Sequence, residues 1–225
     1  MKSSLCVACD VRIRPISRYL RQRFGVALLL AVGVVFSTGC ASLVTPNFET
    51  ETIKLRSGNY VLDPDHTFVL FRIGHLRLSK VIGRFNESEA SMDFDPDDIE
   101  SLRFDGQIKT GSIDIGNPEF EDQLRGSRWL NSQAFPNATF VTDAVIPGEG
   151  SEFIIMGQFT LRGVTQPLQL QARFNGGADN ILTGKYTIGF SATGEFSRKS
   201  FGIDGFSALV GDTVEIEIEA EFQQQ

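Results

Sequence analysis

The stretch Val-Glu-Ile-Glu-Ile-Glu-Ala-Glu-Phe, residues 214–222, alternates apolar with acidic residues along its whole length. A period of two places successive side chains on opposite faces of a β-strand. When one face is apolar and the other is charged, the strand packs its apolar face on a core and leaves the other in water, which is typical of antiparallel sheets. This stretch therefore predicts a half-buried antiparallel strand near the C-terminus.

The same alternation recurs through residues 57–225, a length that suits one domain. Turn-forming pairs such as Asp95-Pro96 and Pro147-Gly148 separate many of the runs. Residues 118–132 do not alternate and predict a short helical insertion, with Asn117 as its N-cap. About eight strands are expected, closed into a barrel or packed as a sandwich. The alternating runs lie at residues 67–75, 81–94, 102–108, 138–146, 153–161, 168–174, 185–196 and 214–222. A bulge or turn within residues 87–91 is expected to reset the parity of the second run.

The first forty residues have a different pattern. Six basic residues and one acid precede the uncharged apolar run at residues 24–36. This order is typical of a secretory signal, and the run is too short to span a bilayer. Ser37-Thr38-Gly39-Cys40 follows and resembles a lipobox, although Ser37 stands where leucine is commonest. We predict a lipoprotein signal at residues 1–39, lipidation of Cys40 and a tether at residues 40–56; a plain signal peptide is the alternative.

Removal of the signal changes the charge balance. The remaining chain has 15 basic and 27 acidic residues, a net charge of −12. Repulsion argues against nucleic acid and anionic lipid headgroups as direct partners, so membrane attachment is expected through acyl chains. Ala41 after the anchor resembles the sorting pattern for the outer membrane. We expect a lipid-anchored protein on the periplasmic side of a bacterial membrane, the outer membrane in our prediction.

Beyond Cys40, few residues could act in catalysis or bind a metal. The absence of a further cysteine excludes Cys/His zinc patterns and a cysteine nucleophile. Asp63-Pro64-Asp65-His66 could form a metal cluster, but a turn at the start of a strand with Asx hydrogen bonds is favoured, and no metal is predicted. Strand parity points His75 inward, either as a structural histidine or as a hydrogen-bonding partner for the polar head of an enclosed ligand.

Several motifs in the alternating region occur together and in order. They are Tyr60-x-Leu62-Asp63-x-x-His66-Thr67-x-Val69-x-Phe71-x-Ile73-x-His75, Gly83-x-Phe85, Ser112-Ile113-Asp114, Phe135-Pro136-x-Ala138-x-Phe140, Gly157-x-Phe159-Thr160-Leu161-x-Gly163-Val164-Thr165-x-Pro167, Arg198-x-x-Phe201-Gly202-Ile203 and Gly211-Asp212-x-Val214. The set resembles the YceI-like family over nearly all of residues 57–225. The resemblance implies an extended lipocalin-like antiparallel β-barrel whose apolar interior holds an isoprenoid or similar lipid. It also implies export to the periplasm and a binding role, with no established catalysis. Gln123 stands where the family commonly has histidine, so no role is carried over to it.

The predicted function is binding: the barrel sequesters or carries a polyisoprenoid or quinone-like lipid, without another cofactor. Two alternatives stay open, an enzyme that uses His75 as acid or base on such a lipid and a structural lipoprotein whose barrel is filled by side chains. Self-association as a homodimer also stays open. Parity predicts Arg72, Lys109, Gln169 and Glu217 on the outer face. The predicted ligand-binding residues are Val69, Phe71, Ile73, His75, Phe85, Phe104, Ile108, Phe140, Phe159, Leu170, Ile188 and Phe190.

Overall fold

A computed structural model of the protein describes residues 49–51 and 54–225. The predicted signal at residues 1–39 and the predicted lipidation site Cys40 lie outside the described residues. None of the helices in the described part of the chain is long and apolar enough to cross a membrane. The strands are β1 (Gly58–His75), β2 (Ser79–Phe85), β3 (Ser88–Phe94), β4 (Arg103–Lys109), β5 (Ile113–Asp114), β6 (Asn137–Pro147), β7 (Glu152–Leu161), β8 (Val164–Asp179), β9 (Tyr186–Ser197) and β10 (Val210–Gln224), and helix α1 spans Pro118–Arg125.

Eight of these strands close into an antiparallel barrel. They follow the order β1, β3, β4, β6, β7, β8, β9, β10, and β10 pairs back with β1. The two additional strands extend the wall at one end, where β2 pairs with residues 69–75 of β1 and β5 pairs with β2. The all-β prediction of an extended lipocalin-like barrel of about eight strands with a short helical insertion is confirmed.

The alternating run predicted at residues 81–94, with a bulge or turn expected within residues 87–91, is two strands separated by Asn86 and Glu87. β2 ends at Phe85 and β3 begins at Ser88, and the two do not pair with each other. The eighteen-residue β1 explains the break, because its first residues pair with β3 and its last residues pair with β2. The inward parity changes between the two strands: Phe85 lies opposite Val69, whereas Met92 lies opposite Phe104.

The helix begins where the sequence predicts. The Asn117 side chain accepts a hydrogen bond from the Phe120 amide, Pro118 occupies the first turn, and Glu119 and Glu121 place negative charge near the helix N-terminus. Glu121 is buried, and its carboxylate accepts from the amides of Ile115 at 3.0 Å and Asn117 at 3.2 Å. These bonds fix α1 at one end of the barrel.

The two ends of the barrel differ. We call the end that holds Tyr60, Phe94, Phe153 and Phe174 the closed end, because these side chains are almost fully buried and fill the interior. Their rings pack together, with centroids 4.7 Å apart for Phe94 and Phe174 and 4.9 Å apart for Phe153 and Phe174. The opposite end, where β1 finishes at His75, is called the open end.

The last residues of the predicted tether at 40–56 contact the closed end. Leu55 is buried in the core, and the Arg56 guanidinium binds both carboxylate oxygens of Asp179 at 2.7 Å. The Tyr60 hydroxyl donates to the Arg56 carbonyl at 2.6 Å. The chain therefore reaches the barrel at the end opposite the open one.

Candidate functional site

The open half of the barrel contains a cavity of about 540 Å³. Small-molecule sites usually measure roughly 300–1,000 Å³ and have mainly apolar walls with a few polar groups. This cavity has that character, since aliphatic and phenylalanine side chains form most of its lining. The ionisable residues of the lining are His75, Glu89 and Arg198.

Phenylalanine side chains form the floor of the cavity. Phe104 lies 6.1 Å from Phe140, 6.2 Å from Phe190 and 6.0 Å from Phe222, measured between ring centroids. All four rings contribute to the cavity wall. Phe94, Phe153 and Phe174 do not line the cavity and belong to the filled closed end. Side chains thus fill the interior in one half, and the cavity lies in the other half.

The strands β1 and β10 form one wall. Val69 lies opposite Ile218, and Phe71 lies opposite Ile216. These four side chains are only partly buried although they point into the barrel, because they face the cavity. Further along β10, the inward Phe222 is 1 % exposed. The change in burial along one strand marks where the filled interior gives way to the cavity.

The helix and two loops shape the open end. Phe120 and Leu124 of α1 line the cavity, as does Trp129 in the turns that follow the helix. Phe206, in the loop before β10, also lines the cavity and stacks on Trp129 with ring centroids 6.0 Å apart. The mouth is therefore formed by segments outside the regular strands.

A buried arginine fixes the loop before β10. Arg198 is 2 % exposed, and its guanidinium donates to the carbonyls of Gly211 at 2.7 Å, Ile203 at 2.7 Å, Gly205 at 2.9 Å and Val210 at 3.0 Å. Burial lowers the pKa of Arg198 from its ordinary value, although the nearby carboxylates of Asp212 and Asp204 act in the opposite direction. No described carboxylate forms an ion pair with Arg198, so backbone dipoles hold the charge.

Most residues predicted for the pocket line the cavity. Ile188 does not: it is fully buried, and it lies opposite Gly177 and Phe222 toward the closed end, where side chains fill the interior. Contact of the others with a ligand stays a prediction. The eleven residues that line the cavity are Val69, Phe71, Ile73, His75, Phe85, Phe104, Ile108, Phe140, Phe159, Leu170 and Phe190.

The residues predicted to face outward do not line the cavity. Gln169 is exposed, and Lys109 is partly buried. Arg72 of β1 forms an ion pair with Glu217 of β10 on the outer face, where these two strands close the barrel. Along these two strands, apolar side chains therefore face the cavity and charged side chains pair on the outer face.

His75 keeps the predicted inward side of β1 but is not enclosed by the barrel. It lies at the last position of β1, is exposed, and lines the rim of the cavity. Its ring forms no hydrogen bond with another described residue, so the structure does not make it a satisfied structural histidine. Its position at the rim would let it reach the polar head of a ligand whose chain lies below.

Sequence parity missed part of the lining for two reasons. Val214, Ile216 and Ile218 follow the same inward parity on β10 and could have been included from the alternation alone. Trp129, Arg198 and the other loop residues come from segments without alternation, and no local pattern predicts their direction. Gln123 of α1 also lines the cavity, at the position where the YceI-like family commonly has histidine.

The residues weighed as a metal cluster form a hydrogen-bonded turn. The Asp63 carboxylate accepts from the Asp65 amide at 3.1 Å, His66 Nδ1 is 3.0 Å away, and Gln223 Nε2 donates at 2.7 Å. The predicted Asx hydrogen bond is thus confirmed. Glu221 brings a third candidate ligand oxygen within 4.8 Å of the Asp63 and His66 atoms.

The pKa shifts at this turn agree with a hydrogen-bonded pair. Burial alone would raise the pKa of Asp63, but the bonds from His66, the Asp65 amide and Gln223 together lower it. The bond with Asp63 raises the pKa of His66. The pair lies where the β1–β10 ladder shifts register between Asp63 and Phe68. We infer that the pair stabilises the irregular stretch where β1 and β10 close the barrel.

Comparison with known proteins gives matches over the barrel. The sequence profile of the YceI-like domain matches residues 60–222. Protein YceI of Salmonella newport strain SL254 is 35 % identical over 171 residues, which cover 75 % of this chain and 88 % of the relative. The crystal structure of a Campylobacter jejuni YCEI protein is 28 % identical with a TM-score of 0.60, covering 68 % of this chain and 90 % of that one.

A structure described as a polyisoprenoid binding domain, from Saccharophagus degradans, is also similar. Its TM-score is 0.55 at 10 % identity, and the match covers 76 % of this chain and all of that domain. At this identity the likeness shows the fold alone.

Proposed function

Since this chain belongs to the YceI-like family, we propose that it binds an isoprenoid or quinone-like lipid in the barrel cavity and sequesters or carries it. The observation that carries the proposal is the apolar cavity in the open half, closed below by the ring cluster around Phe104. A site with one closed and one open end suits a ligand with an apolar chain and a polar head. The proposed ligand class is the one named for the polyisoprenoid binding domain whose fold this chain shares.

The free energy expected from burying such a lipid chain is large enough to offset the cost of ordering it. Burial of on the order of 500 Å² of apolar surface, at about 25 cal/mol per Å², gives roughly 12 kcal/mol before losses. Ordering of the flexible chain and loss of translational freedom oppose this gain. Stable retention of a long isoprenoid is therefore energetically reasonable, whereas a short chain would bury less apolar surface and bind more weakly.

Binding is proposed in preference to catalysis because of the placement of His75. An acid–base histidine needs a reacting group within hydrogen-bond distance and usually a partner that orients its ring. His75 has no hydrogen-bonding partner among the described residues. We infer that it contacts the polar head of the lipid at the rim.

Organic extraction tests the proposed function. We expect the purified protein, or the protein after incubation with a bacterial lipid extract, to release close to one isoprenoid or quinone per chain, identified by mass spectrometry. Absence of stoichiometric lipid after both treatments would contradict a carrier and favour the structural lipoprotein. Release of a chemically changed lipid after incubation with a defined polyprenol would favour the enzyme.

We further propose that Cys40 attaches the protein to a membrane, on the periplasmic side of the outer membrane. The support is the sequence Ser37-Thr38-Gly39-Cys40 after a basic and then apolar segment. Labelled palmitate is expected to be incorporated into the wild-type chain and not into the Cys40→Ser variant. Equal labelling of the two proteins would contradict lipidation at this position.

A further inference from the structure

Four large apolar side chains are exposed around the mouth of the cavity. They are Leu76, Leu78, Phe206 and Leu209, with 46 %, 85 %, 50 % and 45 % of their surfaces exposed. We call them the mouth patch. The Leu76 amide donates to the Leu209 carbonyl at 2.7 Å, which joins the β1–β2 hairpin to the loop before β10. Phe206 and Leu209 also line the cavity, so the patch is continuous with the apolar interior.

Two residues of the patch, and Arg77 beside Leu76, have an unfavourable backbone conformation. Leu76, Arg77 and Phe206 have φ values of 53°, 60° and 53°. Positive φ is uncommon for such residues, and hairpin turns with two positive φ values usually contain asparagine and glycine. The turn is closed by a hydrogen bond from the Leu78 amide to the His75 carbonyl at 3.0 Å. Leucine and arginine at these positions cost folding stability that asparagine or glycine would not. Their presence on the exposed turn therefore indicates a function.

Two arginines accompany the patch. Arg77 lies between Leu76 and Leu78 at the hairpin tip, and the Arg128 guanidinium lies 5.4 Å from the centre of the Phe206 ring. Neither forms an ion pair with a described residue, whereas the neighbouring Lys80 binds Glu215. A guanidinium matches the geometry of phosphate oxygens and keeps its charge beside apolar surface. Leucine and phenylalanine with free arginines suit the interface of a phospholipid bilayer.

We propose that the mouth patch docks on a zwitterionic phospholipid bilayer, with Leu78 inserted among the headgroups and Arg77 and Arg128 against the phosphates. The overall excess of acidic residues disfavours an anionic surface, which is why the proposal specifies zwitterionic lipid. Four side chains are too few for a stable dimer, whose interface usually buries about 800 Å² per partner. This inference rests on the proposed function: a lipid chain would pass between bilayer and cavity without entering water.

The test compares loading from two sources. The full chain is mixed with phosphatidylcholine–phosphatidylethanolamine vesicles that carry a dansyl-labelled polyprenol, and the rate of transfer is measured by energy transfer from Trp129, the single tryptophan. Equilibrium uptake is measured separately, with the same probe delivered from detergent. Leu78→Ser is the test variant, because Leu78 does not line the cavity. Leu182→Ser is the matched control, an exposed leucine at the tip of the β8–β9 hairpin on the closed end.

We expect Leu78→Ser to load from vesicles about tenfold more slowly, since one leucine side chain no longer enters the interface, with unchanged uptake from detergent. Leu182→Ser is expected to behave like the wild type in both assays. All three proteins have the same N-terminal segment, so its membrane affinity cancels in the comparison.

Loading of Leu78→Ser at the wild-type rate, or equal slowing by Leu182→Ser, would overturn the docking proposal while leaving lipid binding intact. A wild-type dimer that Leu78→Ser dissociates, seen by sedimentation with unchanged loading, would reassign the patch to self-association. A wild-type protein that takes up the probe from neither source would refute the proposed function and the docking together.

Discussion

Replacement of Phe104 by aspartate is expected to abolish lipid retention and to destabilise the barrel by at least about 3–5 kcal/mol. Phe104 lies at the boundary between cavity and filled interior, where its ring packs against Phe140, Phe190 and Phe222. The substitution removes these contacts and forces an unpaired carboxylate among aromatic rings. Denaturant unfolding and analysis of co-purified lipid measure the two effects.

The control is an aspartate on the outer face of the barrel. Gln169 of β8 is exposed, and Gln169→Asp is expected to change the free energy of unfolding by no more than about 0.5 kcal/mol. If Phe104→Asp does not fold, Phe71→Asp separates lipid binding from folding, because Phe71 is only partly buried and lines the cavity. Comparable damage by Gln169→Asp and Phe104→Asp would show that inside and outside are assigned wrongly.

Alternation alone predicted the faces of the regular strands. On β10, Glu215, Glu217 and Glu219 alternate with apolar residues that line the cavity, because a strand with one acidic face has one stable register. Such a pattern fixes the face of every residue in the strand, because a slip by one residue would turn all of the side chains over. It succeeds along β10, whereas a register shift between Thr142 and Ala144 of β6 changes which parity is buried.

Alternation predicts less where a strand is interrupted. Asn86 and Glu87 separate β2 from β3 at the start of the segment where a bulge or turn is expected, but the sequence does not show that the run divides into two strands that do not pair. The pairing of β1 with two different neighbours is a property of the closed barrel and has no local sequence signal. Ile188 shows the related limit that parity predicts inward direction but not depth, since an inward residue at the closed end meets other side chains instead of a cavity.

The mouth could not be derived from sequence patterns either. Its shape depends on where loops lie, and loops carry no periodicity that fixes a side chain's direction. Arg198 illustrates the point: a lone arginine after a strand is usually exposed, yet this one is buried among backbone carbonyls that come from 5 to 13 residues further along the chain. The resemblance to the YceI-like family included Arg198 in a motif but did not supply this role.

Arg198→Met is expected to destabilise the protein by about 3–5 kcal/mol and to disorganise the loop before β10. Methionine keeps much of the apolar length of the side chain but donates no hydrogen bond, which leaves four carbonyl acceptors without the guanidinium. A buried polar group that loses its partner costs about 1–3 kcal/mol, and such losses are only partly additive within one cluster. Denaturant unfolding measures the stability, and hydrogen exchange of residues 202–211 measures the order of the loop.

Lysine at position 198 is expected to restore only part of the stability, because one ammonium group cannot span the carbonyls of Ile203, Gly205, Val210 and Gly211. Arg162→Met is the matched control, since Arg162 donates to the carbonyls of Gly202 and Ser127 from a partly exposed position that water can reach. A local readout is the fluorescence of Trp129, whose ring centre lies 5.7 Å from the Arg198 guanidinium. Equal effects of the two methionine variants on stability and fluorescence would show that burial of Arg198 does not determine the shape of the mouth.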